Sequence, residues 1–238
     1  MVTDVHVARD FYATPRGAMV ARLLRERLGT LWPSLPGQSV LGLGYAAPYL
    51  RLWREHAQRC IALTPVQLGA ARWPAGELPN LSCTGQEDAL PFPDLSFDRI
   101  LLVHGLEAAE HARRLLREVW RVLKDDGHLL VVAPNRRGMW AYVESTPFGQ
   151  GQPYSAGQIG DLLAAALFRV ERRDAALFMP PLDLRPALRS ARLWENGARR
   201  LLPPGVAGLT ITEAVKDMYA ALPIAAKAPR HSAFAKAA

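Results

Sequence analysis

Short apolar runs and helix-period segments take turns between residues 39 and 133, and this alternation limits the fold more than any other feature of the chain. Residues 39–44, Ser-Val-Leu-Gly-Leu-Gly, read as a short buried strand. Residues 48–58 read as a helix with Pro48 near its first turn, where proline is tolerated. Strand 59–63, a proline-opened helix 65–72, strand 80–83 and strand 98–104 follow. Residues 106–123 form a long amphipathic helix with Leu115, Leu116, Val119, Val122 and Leu123 on its buried side. Asp125-Asp126-Gly127 then turns the chain into strand 128–133. Strands that alternate with helices are joined by right-handed crossovers, so the expected fold is α/β with a parallel sheet.

Of the 238 residues half are hydrophobic, which suits one medium-sized domain with a sizeable core. No apolar run approaches the ~20 residues that a membrane-spanning helix needs. Residues 1–10 lack the basic-then-apolar design of a signal peptide, so a cytoplasmic location is expected. Cys60 and Cys83 fall in predicted strands, with no Cys-x-x-Cys spacing or clustered histidines. Buried free thiols are expected there in preference to a redox pair or half a metal site, and no metal is expected. The net charge of +7 favours anionic partners. No dense Lys/Arg run with interleaved aromatics marks a nucleic-acid track, so solvated faces are the preferred reading.

The flanks are less regular. Residues 8–32 read as helix, with Leu23, Leu24, Leu28 and Leu31 at helical spacing, while Phe11, Tyr12 and Pro15 mark a separate short segment at its start. A long loop, 135–154, carries Trp140, Tyr142, Phe148 and Tyr154. Ser155-Ala156-Gly157-Gln158 fits a capping box opening a helix to about residue 167. A strand within 168–178, a basic helix 184–202 and a final strand 210–219 complete the layout. The domain reading is a helical segment 1–36, a main domain 37–222 and a disordered basic tail 223–238.

Two blocks carry a family resemblance. One is Leu90-Pro91-Phe92-Pro93-Asp94-Leu95-Ser96-Phe97-Asp98, running into Arg99-Ile100-Leu101-Leu102-Val103. The other spans 116–135, Leu-Arg-Glu-Val-Trp-Arg-Val-Leu-Lys-Asp-Asp-Gly-His-Leu-Leu-Val-Val-Ala-Pro-Asn. In kind, order and separation they resemble the class I S-adenosylmethionine-dependent methyltransferases. There L-P-F-x-D-x-S-F-D leads into the fourth strand, and L-x-E-x-x-R-V-L-K-P-G-G-x-L-x-V-x-x-P makes a helix, a tight turn and the fifth strand. The resemblance implies a doubly wound, mostly parallel seven-stranded sheet with helices on both faces. Its ligand would lie outside the carboxyl ends of the strands, near the switch in strand order.

What the resemblance implies for the cofactor can be followed along the chain. The family's V-L-D-L-G-C-G-T-G corresponds to residues 40–48, where Gly44 matches and Tyr45 follows it. Gly42 stands in place of an acid, Ala46 and Pro48 in place of glycines. Thr64 takes the place of the acid that accepts from the ribose hydroxyls. Gln86 takes that of the aspartate on the adenine amino group, with Glu87 or Asp88 as substitutes and Ala89 completing the loop. At the fourth strand's end Leu106 and Glu107 match the family's L-E-H, and Ala108 stands for its histidine. His104 is placed to face the cleft, either as a residue that takes a proton or positions substrate, or as a polar residue on the rim.

Two readings stay open for the altered cleft. It binds S-adenosylmethionine through changed contacts and passes its methyl group to an unidentified, anionic acceptor, or it is a non-catalytic scaffold that has lost the cofactor. Loops as long as 135–154 are usually functional or disordered. This one reads as a lid offering Arg136, Arg137, Trp140 and Tyr154 to the acceptor, or as an aromatic plug. The 184–202 helix, with Leu188, Ala191, Trp194 and Ala198 as its apolar stripe, reads as packed on the domain in preference to docking on RNA or an anionic membrane.

Overall fold

The computed structural model describes residues 5–183 and 185–218. Its strands are β1 (Ser39–Gly44), β2 (Arg59–Pro65), β3 (Ser82–Gly85), β4 (Phe97–Val103), β5 (Leu123–Pro134), β6 (Phe168–Ala176) and β7 (Leu209–Lys216). They form one sheet in the order β3-β2-β1-β4-β5-β7-β6. β1 to β5 pair in parallel, and β7 runs antiparallel to both β5 and β6. Strand order reverses between β1 and β4, so a crevice is expected above their carboxyl ends.

The helices are α1 (Val5–Ala13), α2 (Pro15–Leu31), α3 (Ala47–Leu50), α4 (Ala112–Val122), α5 (Ala156–Ala165) and α6 (Arg185–Leu201). Side-chain alternation along the strands splits the core in two. Val40, Leu101 and Leu130 face α2, α3 and α6, while Leu41, Ile100 and Leu129 face α4 and α5. The central strands are buried on both faces, which is why they read as unbroken apolar runs.

Local chemistry corrects several expected boundaries. The N-terminal helix is two helices, because the Thr14 hydroxyl accepts from Gly17 N–H at 3.0 Å and Pro15 opens α2 as its first residue. The helix expected at 48–58 is the single turn α3, followed by turns. The one expected at 65–72 is a 3-10 turn, Val66–Leu68. Gly69 at φ +94° and Gly76 at φ +84°, with Pro74 between them, keep the chain irregular up to β3. The helix expected from 106 starts at Ala112. The Ser155–Gln158 capping box forms with both of its bonds. The tail expected to be disordered, 223–238, lies outside the described residues. Cys60 is a buried free thiol and Cys83 a half-buried one. Among the described residues no helix is long and apolar enough to cross a membrane.

The two sequence blocks meet in the fold. Arg121 on α4 grips Glu118 through two bonds, at 3.0 and 2.7 Å, and reaches the carbonyls of Phe92 and Leu90 and the Asp94 carboxylate. Glu118 in turn accepts from Leu90 N–H at 2.8 Å. The hydrogen bonds from Arg121 hold the Glu118 carboxyl below its usual range, against the opposing effect of burial. Such a group stabilises the fold above its unfolded pKa of about 4.3, and the contribution is lost as pH falls through its depressed folded value. Glu118→Gln is therefore expected to cost roughly 1–2 kcal/mol at pH 7. Its deficit against the wild type should shrink on acidification below about pH 4, which urea melts at a series of pH values will show.

On α6 Ala191 is buried and Leu188 and Ala198 pack against the core, as expected of the stripe, while Trp194 is 58% exposed and Glu195 takes a buried place instead. Glu195 accepts from the backbone N–H of Leu177 and of Phe178, at 2.9 and 2.7 Å, and so fixes the helix to the end of β6. Arg192 pairs with Glu26 on α2, and Arg199 with Asp174 on β6.

Candidate cofactor site

The crevice is built on the turn that leaves β1. Gly44 sits there at φ +84°, and a Cβ on it would lie 2.3 Å from the Val103 carbonyl oxygen. Only glycine lets the chain pass this close to the end of β4. Tyr45 N–H then donates to that same carbonyl at 2.7 Å. Two residues earlier, a Cβ on Gly42 would meet Leu50 at 2.6 Å and Ala46 at 2.9 Å. Apolar packing from α3 thus fills the space that an acidic side chain takes in the resembled family.

His104 caps β4 in the left-handed region, φ +53°, and is 1% exposed. Its Nδ1 lies 3.2 Å from Glu107 Oε1 and its Nε2 lies 2.8 Å from the Tyr12 hydroxyl, which is 2.6 Å from the Tyr49 hydroxyl. Each hydrogen is used once if Glu107 accepts from Nδ1–H, Nε2 accepts from Tyr12 and Tyr12 accepts from Tyr49. Burial, then the nearby Tyr49, raises the Tyr12 phenol well above the usual tyrosine range; burial does the same to Tyr49. Both hydroxyls therefore keep their protons. Tyr12 stacks on Tyr45 with ring centroids 5.7 Å apart, and the His104 ring lies 4.7 Å from Phe148. Glu107 Oε2 is buried with no hydrogen-bond partner among the described residues.

Sequence reading singled out His104 for this site but not Tyr12 or Tyr49. The available signal was the aromatic pair Phe11-Tyr12 set apart before Pro15. Nothing in the spacing pointed to its docking on residue 104.

The other expected cofactor residues lie along the same edge. Thr64 is buried at the end of β2. Gln86, Asp88 and Ala89 are exposed just beyond β3, where Gln86 and Asp88 line a groove of about 310 Å³ with Val66, Gln67 and His111. Glu87 is buried and already engaged: it accepts from His111 N–H at 2.9 Å, at the start of α4, and from the Gln67 amide at 2.6 Å. It holds α4 to the β2 end, which explains a carboxylate at 87 without any ligand.

The expected acceptor residues do not gather around His104. Trp140 is fully buried, donates to the Met179 carbonyl at 2.8 Å and packs edge-on against Phe148. Tyr154 is buried and clipped to β5, its N–H on Pro134 O and its carbonyl taken by Arg136 N–H. Arg136 and Arg137 are exposed, and Arg137 lines a separate cavity with Asn135, Ser155 and Arg173. Phe148 in this loop packs against His104 and Phe11 and closes the aromatic box over His104.

Comparison with known proteins bears on this site directly. Residues 39–131 match the family model described as a methyltransferase domain. A demethylmenaquinone methyltransferase of Thermus thermophilus is 26% identical over 175 residues, 72% of this chain and 68% of that protein. Among solved structures, an S-adenosylmethionine-dependent methyltransferase of Thermotoga maritima superposes with a TM-score of 0.61 at 19% identity, over 89% of this chain and 96% of that one. One from Mesorhizobium loti gives 0.58 at 16% identity, over 87% and 100%. The solved structures show the shared fold.

The residues present fit S-adenosylmethionine. The unpartnered Glu107 Oε2 suits the ammonium end of its amino-acid part, the Thr64 hydroxyl its ribose edge and the Gln86 amide its adenine edge. The side chain in the way is Tyr12, which α1 inserts over the ends of β1 and β4. With the matched segment spanning β1 to β5, the fold complete to β7 and the crevice at the β1–β4 switch, residues 39–131 match a methyltransferase domain and the chain shares the fold of S-adenosylmethionine-dependent methyltransferases.

Proposed function

We propose that the chain methylates a small organic acceptor that carries an exchangeable proton, and that His104 receives this proton. The observation behind the reading is the setting of His104: Glu107 fixes its tautomer, and its Nε2 lone pair is aimed at the one hydroxyl that a movement of α1 would withdraw. When bound, the cofactor supplies a methyl group already activated as a sulfonium. The protein's share is positioning, exclusion of water and proton uptake.

The steps assigned to the chain are few. α1 moves with Tyr12 and frees Nε2. The acceptor occupies the vacated space between Tyr45 and Phe148, its X–H bonded to Nε2. His104 Nε2 would take up the proton that the acceptor loses on methylation, and the Glu107 carboxylate beside Nδ1 would balance the resulting imidazolium.

Calorimetric titration with S-adenosylmethionine and S-adenosylhomocysteine tests the premise. Binding of either with micromolar affinity is expected. Absence of binding up to millimolar ligand would overturn the reading and leave a scaffold with a sealed crevice.

A further inference from the structure

A second concavity lies on the other side of Tyr12 and Tyr45. It measures about 700 Å³, within the range of small-molecule sites, and is walled by α1, α2, α3 and the irregular segment after β2. Its origin is legible in the chain. Where a helix was expected at 65–72, the Gly/Pro-rich segment makes only one 3-10 turn, and the elements around the gap present small side chains: Ala18, Ala21, Ala47, Ala71 and Ala75. None is large enough to fill the space.

The polar part of this lining is of one sign. Arg9, Arg25, Arg51, Arg72 and His6 all line the cavity, and among the described residues no Asp or Glu does. Asp10, which pairs with Arg9 at 3.5 Å, lies outside it. Arg25 follows Ala18 and Ala21 on one face of α2, at a spacing that normally carries an apolar residue toward the core. It is half-buried, and among the described residues neither it nor Arg51 has an ion pair or a side-chain hydrogen bond. Burial, and then the charge of Arg51, lowers the Arg25 pKa, and both guanidinium groups line the same cavity. Elsewhere the chain does pair such arginines: Arg27 and Arg199 both reach Asp174, and Arg192 reaches Glu26.

We propose that this cavity binds a small organic anion, a carboxylate or phosphate on an apolar body, with Arg25 and Arg51 holding the anionic group and the alanine-lined wall beside Tyr45 and Trp73 holding the body. The assignment concerns a site separate from the crevice over His104 and stands whether or not that crevice transfers a methyl group. Planar guanidinium forks match both oxyanion classes, with half-buried Arg25 set against the apolar wall and Arg51 at the exposed mouth.

The test is titration of the full chain at low salt with phenyl phosphate, benzoate, inorganic phosphate and phenol, read by calorimetry and by the fluorescence of Trp73 against a Trp73→Phe control. Phenyl phosphate or benzoate is expected to bind more tightly than inorganic phosphate, and phenol not to bind. Arg25→Gln and Arg51→Gln should each weaken binding about tenfold. Arg200→Gln, on the exposed side of α6, should leave it unchanged. Affinity for S-adenosylhomocysteine should stay the same in both cavity variants, while circular dichroism confirms that they fold. Three results would overturn the proposal: no anion bound at 10 mM (~4 orders above a micromolar site), equal loss in the Arg200 variant, or parallel loss of S-adenosylhomocysteine binding. The last would make these arginines part of the cofactor site.

Discussion

Trp140→Ala is expected to destabilise the fold by about 3–5 kcal/mol, the range for removing a large aromatic from a packed core. Trp140 has no solvent exposure, and its ring lies where a Cβ on Gly208 would come within 2.2 Å of it, at the entry to β7. Alanine leaves a void between the 135–154 loop and that strand. It also orphans the buried Met179 carbonyl that the indole N–H serves. Trp140→Phe keeps most of the volume and loses the bond, so it should cost about 1–3 kcal/mol and separate the two contributions. Denaturant midpoints at unchanged slope will measure both. A loss under about 1 kcal/mol for the alanine variant would show that the loop refills the space.

His104→Asn is expected to lower the rate of methyl transfer by about 10²–10⁴-fold, the usual contribution of a positioned acid or base. Asparagine suits this test because it tolerates the left-handed backbone that His104 adopts. It can still bond to Tyr12 and Glu107 but takes up no proton at the relevant atom. The affinity for S-adenosylhomocysteine should change only a few-fold, roughly within 1 kcal/mol. Glu107→Gln, which keeps the shape but removes the charge balancing the imidazolium, should reduce the rate less while shifting its pH profile. If the Asn variant keeps full rate and its pH profile matches that of the wild type, His104 is a cap on β4 and the proton leaves by another route.

Much of the scaffold was readable because it depends on short-range pattern. The buried runs at β1, β2, β4 and β5 and the heptad-like spacing along α4 act through local periodicity, and the capping box at Ser155 through three residues. The reading faltered where helix propensity lost to backbone breakers, as after Pro65, and where a charged residue took an inward position. Glu195 is the clearest case: a carboxylate between alanines looks solvated, yet it serves two backbone N–H groups freed at the end of β6. The site was half legible. Gly44 and His104 follow from their place at strand ends, but Tyr12 meets His104 across 92 residues, and such a contact leaves no trace in spacing. Glu87 misled for a related reason, since its partners His111 and Gln67 lie 24 and 20 residues away.

The placement of β7 between β5 and β6 also bears on how the molecule comes into being. Among the described residues β6 pairs with β7 alone, and β7 is the last strand. During synthesis the chain therefore carries β6 and α6 before any strand exists to receive them, and the outer edge of β5 stays open as well. Unpaired strand edges are templates for pairing with other chains. Trp32, at the end of α2, must likewise wait for Glu213, 181 residues later, to accept its indole N–H. A nascent chain stopped between residues 176 and 209 thus holds unpaired edges on β5 and β6 and a Trp32 indole without its acceptor. Insertion of β7 covers the facing edges of β5 and β6 and supplies the Trp32 acceptor in one step, and until then those edges are open to pairing with other chains.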